Sequence, residues 1–145
     1  MNLAYRQAVE ADREIIRSIL TSQKLPSESI GTGITDFYLA LDNNTVVGVA
    51  GFEYYGEDAL LRSVAVPSQY QKKGIGFQFV DWMIALGKQK RLKSMVLLTE
   101  TASNFFAKKG FSVVGRSSIN NEALKKSSQF CGGCCSSAAC MKLDL

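Results

Sequence analysis

The chemistry of this sequence concentrates in Gln71-Lys72-Lys73-Gly74-Ile75-Gly76, two glycines at the start of an apolar-striped segment. Glycine lets backbone come close to a ligand. The first amides of a helix have no partner inside it, so they point outward with the positive end of the helix dipole behind them. Such a site suits a pyrophosphate, and Lys72 and Lys73 add charge beside it. The pattern lacks the GxxxxGK[ST] of a nucleotide-binding P-loop, and it is not the GxGxxG of a dinucleotide fold. A GxG alone is equally consistent with a glycine-bearing loop carrying exposed lysines.

The 145 residues include no histidine. Ser-His and Cys-His nucleophile pairs, HExxH metal sites and any histidine base are therefore excluded. Arg62 stands among apolar residues on the segment that leads into the glycine loop. A buried guanidinium needs an anion, which is either a carboxylate of the protein or one belonging to a substrate. All four cysteines fall in Cys131-Gly-Gly-Cys134-Cys135-Ser-Ser-Ala-Ala-Cys140. Zinc ligands come as two separated pairs, which C-x2-C-C-x4-C does not match, so these read as free thiols with no metal expected, the alternative being a soft metal or trivalent arsenic held by the clustered thiols.

With these residues in hand, the sequence resembles the GNAT superfamily of acetyl-CoA-dependent N-acyltransferases along nearly its whole length. The first motif is Val64-Ala65-Val66-Pro67 followed by Gln71 to Gly76, similar to the family's [Q/R]xxGx[G/A]. The second is Ala102-Ser103-Asn104-Phe105-Phe106-Ala107-Lys108-Lys109-Gly110-Phe111, similar to AxxFYxKxGF. The resemblance implies a mixed α/β sheet of about six to seven strands, split at a cofactor cleft and flanked by about four to five helices. It also implies that Val64, Ala65 and Val66 pair with the pantetheine arm of acetyl-CoA. The amides of Gln71, Lys72, Lys73, Gly74, Ile75 and Gly76 would hold its pyrophosphate, and Asn104 would lie along it. A narrower resemblance, in Ala59 to Val66, Leu97 to Ala102 with Phe105-Phe106, and Cys134 to Met141, is to the acetyltransferases linked to arsenic resistance and grouped with amino-acid N-acetyltransferases.

The implied reaction is attack of an amine nitrogen on a thioester carbonyl, through a ternary complex. Because an alkyl amine is mostly protonated at neutral pH, a base must take its proton, and without histidine that base is a carboxylate. Glu53 is the first candidate, at the end of a hairpin strand beside the one expected to bind the cofactor. Glu100, at the end of a buried strand, is the second. The competing reading of each is an exposed strand-end carboxylate. Where many relatives carry a tyrosine thought to protonate the departing thiolate, this chain has Phe106. Arg62 is the candidate for holding a substrate carboxylate.

These residues need elements to place them. Leu3 to Val9 reads as a strand, and Glu10 to Leu25 as a helix with Ile15, Ile16, Ile19 and Leu20 on one face, closed by Pro26. Ser27 to Thr35 reads as a substrate-side lip. Phe37 to Leu41 and Val46 to Tyr55 form a hairpin around Asp42-Asn43-Asn44, and Ala59 to Val66 adds a third strand. Ile75, Phe79, Met83 and Leu86 stripe a helix to about Lys88. Met95 to Leu98 is a buried strand, Thr101 to Lys109 a helix stopped by Gly110, and Phe111 to Gly115 a strand. A helix over Asn121 to Phe130 and a last strand over Cys140 to Leu145 complete one domain spanning residues 1–145.

Apolar residues at 46% and charged residues at 21% fit an ordinary globular chain and exclude general disorder. The +4 net charge lies in small clusters, which suits a small anionic ligand and gives no indication of nucleic acid. Neither a signal peptide nor a membrane-spanning run is visible, which points to the cytoplasm and away from a membrane partner. The expectation is an N-acetyltransferase for a small, amino-acid-like amine, with a homodimer left open. The competing readings are a protein or peptide amine acetyltransferase and a non-catalytic acyl-CoA-binding sensor.

Overall fold

The computed structural model describes residues 2–25, 35–126 and 138–145. Within them the chain forms β1 (Leu3–Gln7), α1 (Arg13–Ser22), β2 (Thr35–Asp42), β3 (Thr45–Tyr55), β4 (Asp58–Ala65) and α2 (Ile75–Gln89). There follow β5 (Ser94–Thr99), α3 (Ser103–Ala107), β6 (Ser112–Val114), α4 (Glu122–Lys125) and β7 (Ala139–Asp144). The strands bond in the order β1-β2-β3-β4-β5-β7-β6, the mixed α+β architecture expected. The chain groups into two compact units, Met1–Glu53 with Leu61–Met83, and Tyr54–Leu60 with Ile84–Leu145.

In the first unit, β1 and β2 pair antiparallel from Leu3↔Asp42 to Gln7↔Tyr38, and β2 turns back into β3. Asn43 and Asn44 make that turn with φ of 50° and 70°, a conformation asparagine tolerates and a tight hairpin requires. Strand alternation then sorts the side chains. Phe37, Leu39 and Val49, with Ala65 of β4, bury Ile16, Ile19 and Leu20 of α1, each such side chain contributing about 1.5–3 kcal/mol. Aromatic rings gather in a separate cluster: Tyr38 meets Phe52 and Trp82, and Tyr5 stacks on Trp82 with centroids 5.1 Å apart. Phe79 of α2 sits so close to β3 that a Cβ on Gly48 would lie 3.1 Å from its ring.

The expected helix over Glu10–Leu25 is shorter in the structure. Glu10–Asp12 is a 3-10 turn, tightened by the Val9 amide donating to Asp12 Oδ2 at 2.7 Å. At the other end Lys24 turns left-handed, φ 59°, and Leu25 N donates to Leu20 O at 2.8 Å, so α1 stops at Ser22 before Pro26 is reached. Ile15 leaves the expected buried stripe and is 40% exposed, because the face buried by the sheet is set by positions 16, 19 and 20. The lip over Ser27 to Thr35 lies almost wholly outside the described residues.

In the second unit, the start of β4 pairs parallel with β5 from Asp58↔Ser94 to Leu60↔Val96, and β5 pairs antiparallel with β7, which in turn pairs with β6. Ser94 to Leu97 are buried, as a strand covered on both faces requires. Leu60, Val96, Ile119, Leu124 and Cys140 form the core. The helix expected over Thr101–Lys109 shrinks to α3, because its last turn tightens and Gly110 takes φ 99°. Likewise α4 covers only Glu122–Lys125 of the helix expected to Phe130; residues 127–137, with Cys131, Cys134 and Cys135, lie outside the described residues. Among the described residues no helix is long and apolar enough to cross a membrane.

Candidate active site

β3 and β4 bring Glu53 and Arg62 together in the first unit. Arg62 Nη1 donates to Glu53 Oε2, and both side chains are almost fully buried, at 2% and 1% exposure. The exposed strand-end reading of Glu53 therefore fails: it is one of the largest fully buried side chains. Arg62 Nε donates to Ser63 Oγ at 3.2 Å, while Nη2 has no hydrogen-bond partner among the described residues. A buried guanidinium with donors left over is an incomplete site, since leaving a buried polar group unpaired costs about 1–3 kcal/mol.

The backbone beside this pair is also unusual. Ser63 is buried inside β4 yet has φ 57°. For a non-glycine residue in a strand that conformation costs on the order of 1–3 kcal/mol, and strain of this kind concentrates at functional sites. β4 ends at Ala65, one residue before the expected Val66.

After Pro67 and a 3-10 turn over Ser68–Tyr70 comes the glycine loop. Lys72 and Gly74 both take positive φ, 64° and 79°, so the backbone doubles back before α2 begins. Gln78 N donates to Gly74 O at 3.1 Å, the first bond of a 15-residue helix. The amides of Ile75 and Gly76 precede that bond and have no acceptor within α2. Lys72, Lys73 and Gly74 are exposed, and no carboxylate among the described residues pairs with either lysine. Helix-start amides, a glycine without a side chain and two unpaired ammonium groups are the donor set an anionic pyrophosphate needs.

The side chain of Gln71 has a role the sequence did not signal. Its Nε2 donates to Val66 O at 2.8 Å and to Gln23 Oε1 at 2.9 Å, so it closes the loop on itself and ties it to the end of α1. Gln23 lies 48 positions away in sequence, and no motif contains it. The left-handed Ser63 was equally invisible, since serine carries no signal for positive φ.

Glu100 and Asn104 belong to the second unit, the first following β5 and the second in α3, and both are exposed. Phe106 is 7% exposed and packs edge-on against Phe105 and Phe111, so its ring serves the core of that unit. Cys140 is a buried free thiol in β7; burial pushes its pKa up, with Arg116 opposing.

An acetyltransferase (GNAT) domain model matches residues 33–113, more than half of the chain. No curated protein matches in sequence. Among solved structures, the chain is similar to N-acetylglutamate synthase from Neisseria gonorrhoeae complexed with coenzyme A and N-acetyl-glutamate. The TM-score is 0.84 at 18% identity, covering 100% of this chain and 35% of that one. It is similar to Rv2747 from Mycobacterium tuberculosis in complex with CoA, at TM-score 0.81 and 19% identity over 98% of this chain and 99% of that one. It is also similar to the ribosomal-protein-S18-alanine N-acetyltransferase from Escherichia coli, at TM-score 0.76 and 13% identity over 99% and 94%.

Proposed function

The chain belongs to the GNAT acetyltransferase family, and from that premise we propose that it moves an acetyl group from acetyl-CoA to the primary amine of a small, amino-acid-like molecule. The observation that carries the substrate class is Arg62, buried beside Glu53 with Nη2 unpartnered among the described residues. A carboxylate is the natural acceptor for a guanidinium edge that has donors to spare.

Acetyl-CoA supplies an activated thioester. The amides of Gln71 to Gly76, with Lys72 and Lys73, hold its pyrophosphate, and the backbone of Val64, Ala65 and Val66 leads into that loop. Glu53 accepts the proton of the substrate ammonium, which frees the nitrogen lone pair to form the new C–N bond as the C–S bond breaks. The electron pair of that bond leaves on sulfur, and the second nitrogen proton, made acidic by the new C–N bond, passes to that thiolate, so the products are the amide and the CoA thiol. A thiol of pKa about 8.5 departs as thiolate without a strong acid, so Phe106 is no obstacle.

Charge accounts for the pairing of these roles. Protonating Glu53 would strip Arg62 of its counter-ion, and an unpaired buried charge is costly. A substrate carboxylate at Nη2 keeps Arg62 neutralised while Glu53 holds the proton. The mechanism therefore favours amines that carry an acid.

The test is thiol release from acetyl-CoA with a panel of amines. An α-amino acid should be acetylated with kcat/KM at least about ten-fold above its decarboxylated amine, equivalent to about 1.4 kcal/mol. Preference for peptide N-termini would support a protein or peptide substrate instead. Binding of acetyl-CoA without thiol release for any amine would mark a sensor and overturn the reading.

A further inference from the structure

The glycine loop is not held by its own strand and helix alone. Both hydrogens of the Gln71 amide are engaged, one by Val66 O at 2.8 Å and one by Gln23 Oε1 at 2.9 Å, and Gln23 Nε2 in turn donates to Ser68 Oγ at 3.4 Å. These bonds join three places: the end of β4, the 3-10 turn after it and the C-terminal end of α1. Gln23 itself stands on a fixed base. Its amide donates to Ile19 O and Leu20 O, at 3.1 and 3.2 Å. The next residue, Lys24, accepts the left-handed conformation that lets Leu25 close back on Leu20. Ile19 and Leu20 are 4% and 0% exposed, so this base is anchored in the core of the first unit.

From this arrangement we infer that Gln23 is a positioning residue for acetyl-CoA, acting through the Gln71 side chain; the inference rests on the cofactor reading above. Lys72 and Gly74 both hold positive φ, and a loop with two such residues has other conformations within reach once its brace is lost. Gln71, the residue just before them, is fixed on one side by Val66 and on the other by Gln23. With Gln23 absent, Gln71 keeps one partner and can swing about it. The loop amides then meet the pyrophosphate in more than one arrangement, and binding bears the cost of ordering them. Nothing in this network touches Glu53 or Arg62, so the chemical step is unaffected.

The variants are Gln23→Ala and, as a safeguard for the helix end, Gln23→Met, which keeps the length and loses both polar atoms. The KM and Kd for acetyl-CoA should rise about three- to ten-fold, the range for losing one hydrogen bond, while kcat and the KM for the amine stay within about two-fold. In the ligand-free protein, amide hydrogen exchange over residues 67–76 should quicken while that of β2 and β3 does not. Combining Gln23→Ala with Gln71→Ala should weaken acetyl-CoA by clearly less than the sum of the two single losses, because Gln23 acts chiefly through that side chain, its bond to Ser68 Oγ being long at 3.4 Å. Unchanged acetyl-CoA binding in folded Gln23 variants, or additive losses in the double variant, would overturn the inference. A parent protein that does not bind acetyl-CoA would instead overturn the cofactor reading, with the exchange result still reporting whether Gln23 braces the loop.

Discussion

Each unit sets a polar cluster against its β-strands, almost fully buried in the first and partly buried in the second, and the two are finished differently. In the second unit, Asp58 Oδ1 accepts from Ser94 Oγ at 2.6 Å and Oδ2 from Asn121 Nδ2 at 2.9 Å. Asn121 also donates to Tyr55 O and accepts from Leu124 N at the start of α4. Both carboxylate oxygens and both ends of the amide are used. In the first unit, Arg62 reaches Glu53 and Ser63 and still has Nη2 to offer, beside a strained backbone. A closed network fixes a fold; an open one, buried more deeply than the Asp58 cluster, holds capacity for a ligand.

The two clusters should respond differently to damage. Arg62→Met leaves the Glu53 carboxylate buried without a cation, and breaking a buried pair from one side costs about 3–5 kcal/mol; thermal or denaturant unfolding should show that loss together with loss of transfer. Asn121→Ala removes a helix cap and two donated bonds, with an expected cost of about 1–3 kcal/mol. Its kcat per folded molecule should match the parent. Equal damage to turnover from both would erase the distinction between a closed and an open cluster.

A second ion pair sharpens the contrast. Arg6 donates to both oxygens of Asp12, at 2.7 and 3.0 Å, but Arg6 is 44% exposed and the pair is partly in water. Those bonds hold the Asp12 pKa below its ordinary value, burial opposes them and the Val9 amide assists. A carboxylate with a depressed folded-state pKa stabilises the fold above its unfolded value of about 3.9 and loses that contribution as pH falls through the folded value. Asp12→Asn should therefore show less loss of stability below about pH 4 than the parent, with a smaller effect at neutral pH than Arg62→Met. Identical acid unfolding of the two proteins would contradict this.

Much of the first unit was legible because its signals are local. The Asn43-Asn44 turn, the striped α2 and the Gly74–Gly76 loop each announce themselves within a few residues, and the structure places them where they were expected. The ends of α1 were not legible, since they depend on Asp12 capturing Arg6 and on Lys24 turning left-handed, neither of which alters the apolar period. Arg62 could be read as needing an anion, but only the pairing of β3 with β4 identifies Glu53 as that anion. Gln23 was beyond reach for the same reason: a bond across 48 positions leaves no trace in either neighbourhood.

Glu53→Gln tests the proposal most directly: it keeps the size and an oxygen that can accept from Arg62 and removes the proton acceptor. Because it also removes the counter-ion of Arg62, the rate is read per folded molecule. With an amino-acid substrate and saturating acetyl-CoA, the rate at neutral pH should fall by on the order of 10² or more, while acetyl-CoA affinity stays near the parent's. As pH rises toward the amine's own pKa, the variant's rate should climb steeply while the parent's levels off. A variant that keeps the parent's rate and the parent's pH profile would show that Glu53 does not take the proton and would leave Glu100 or a bound water as the acceptor.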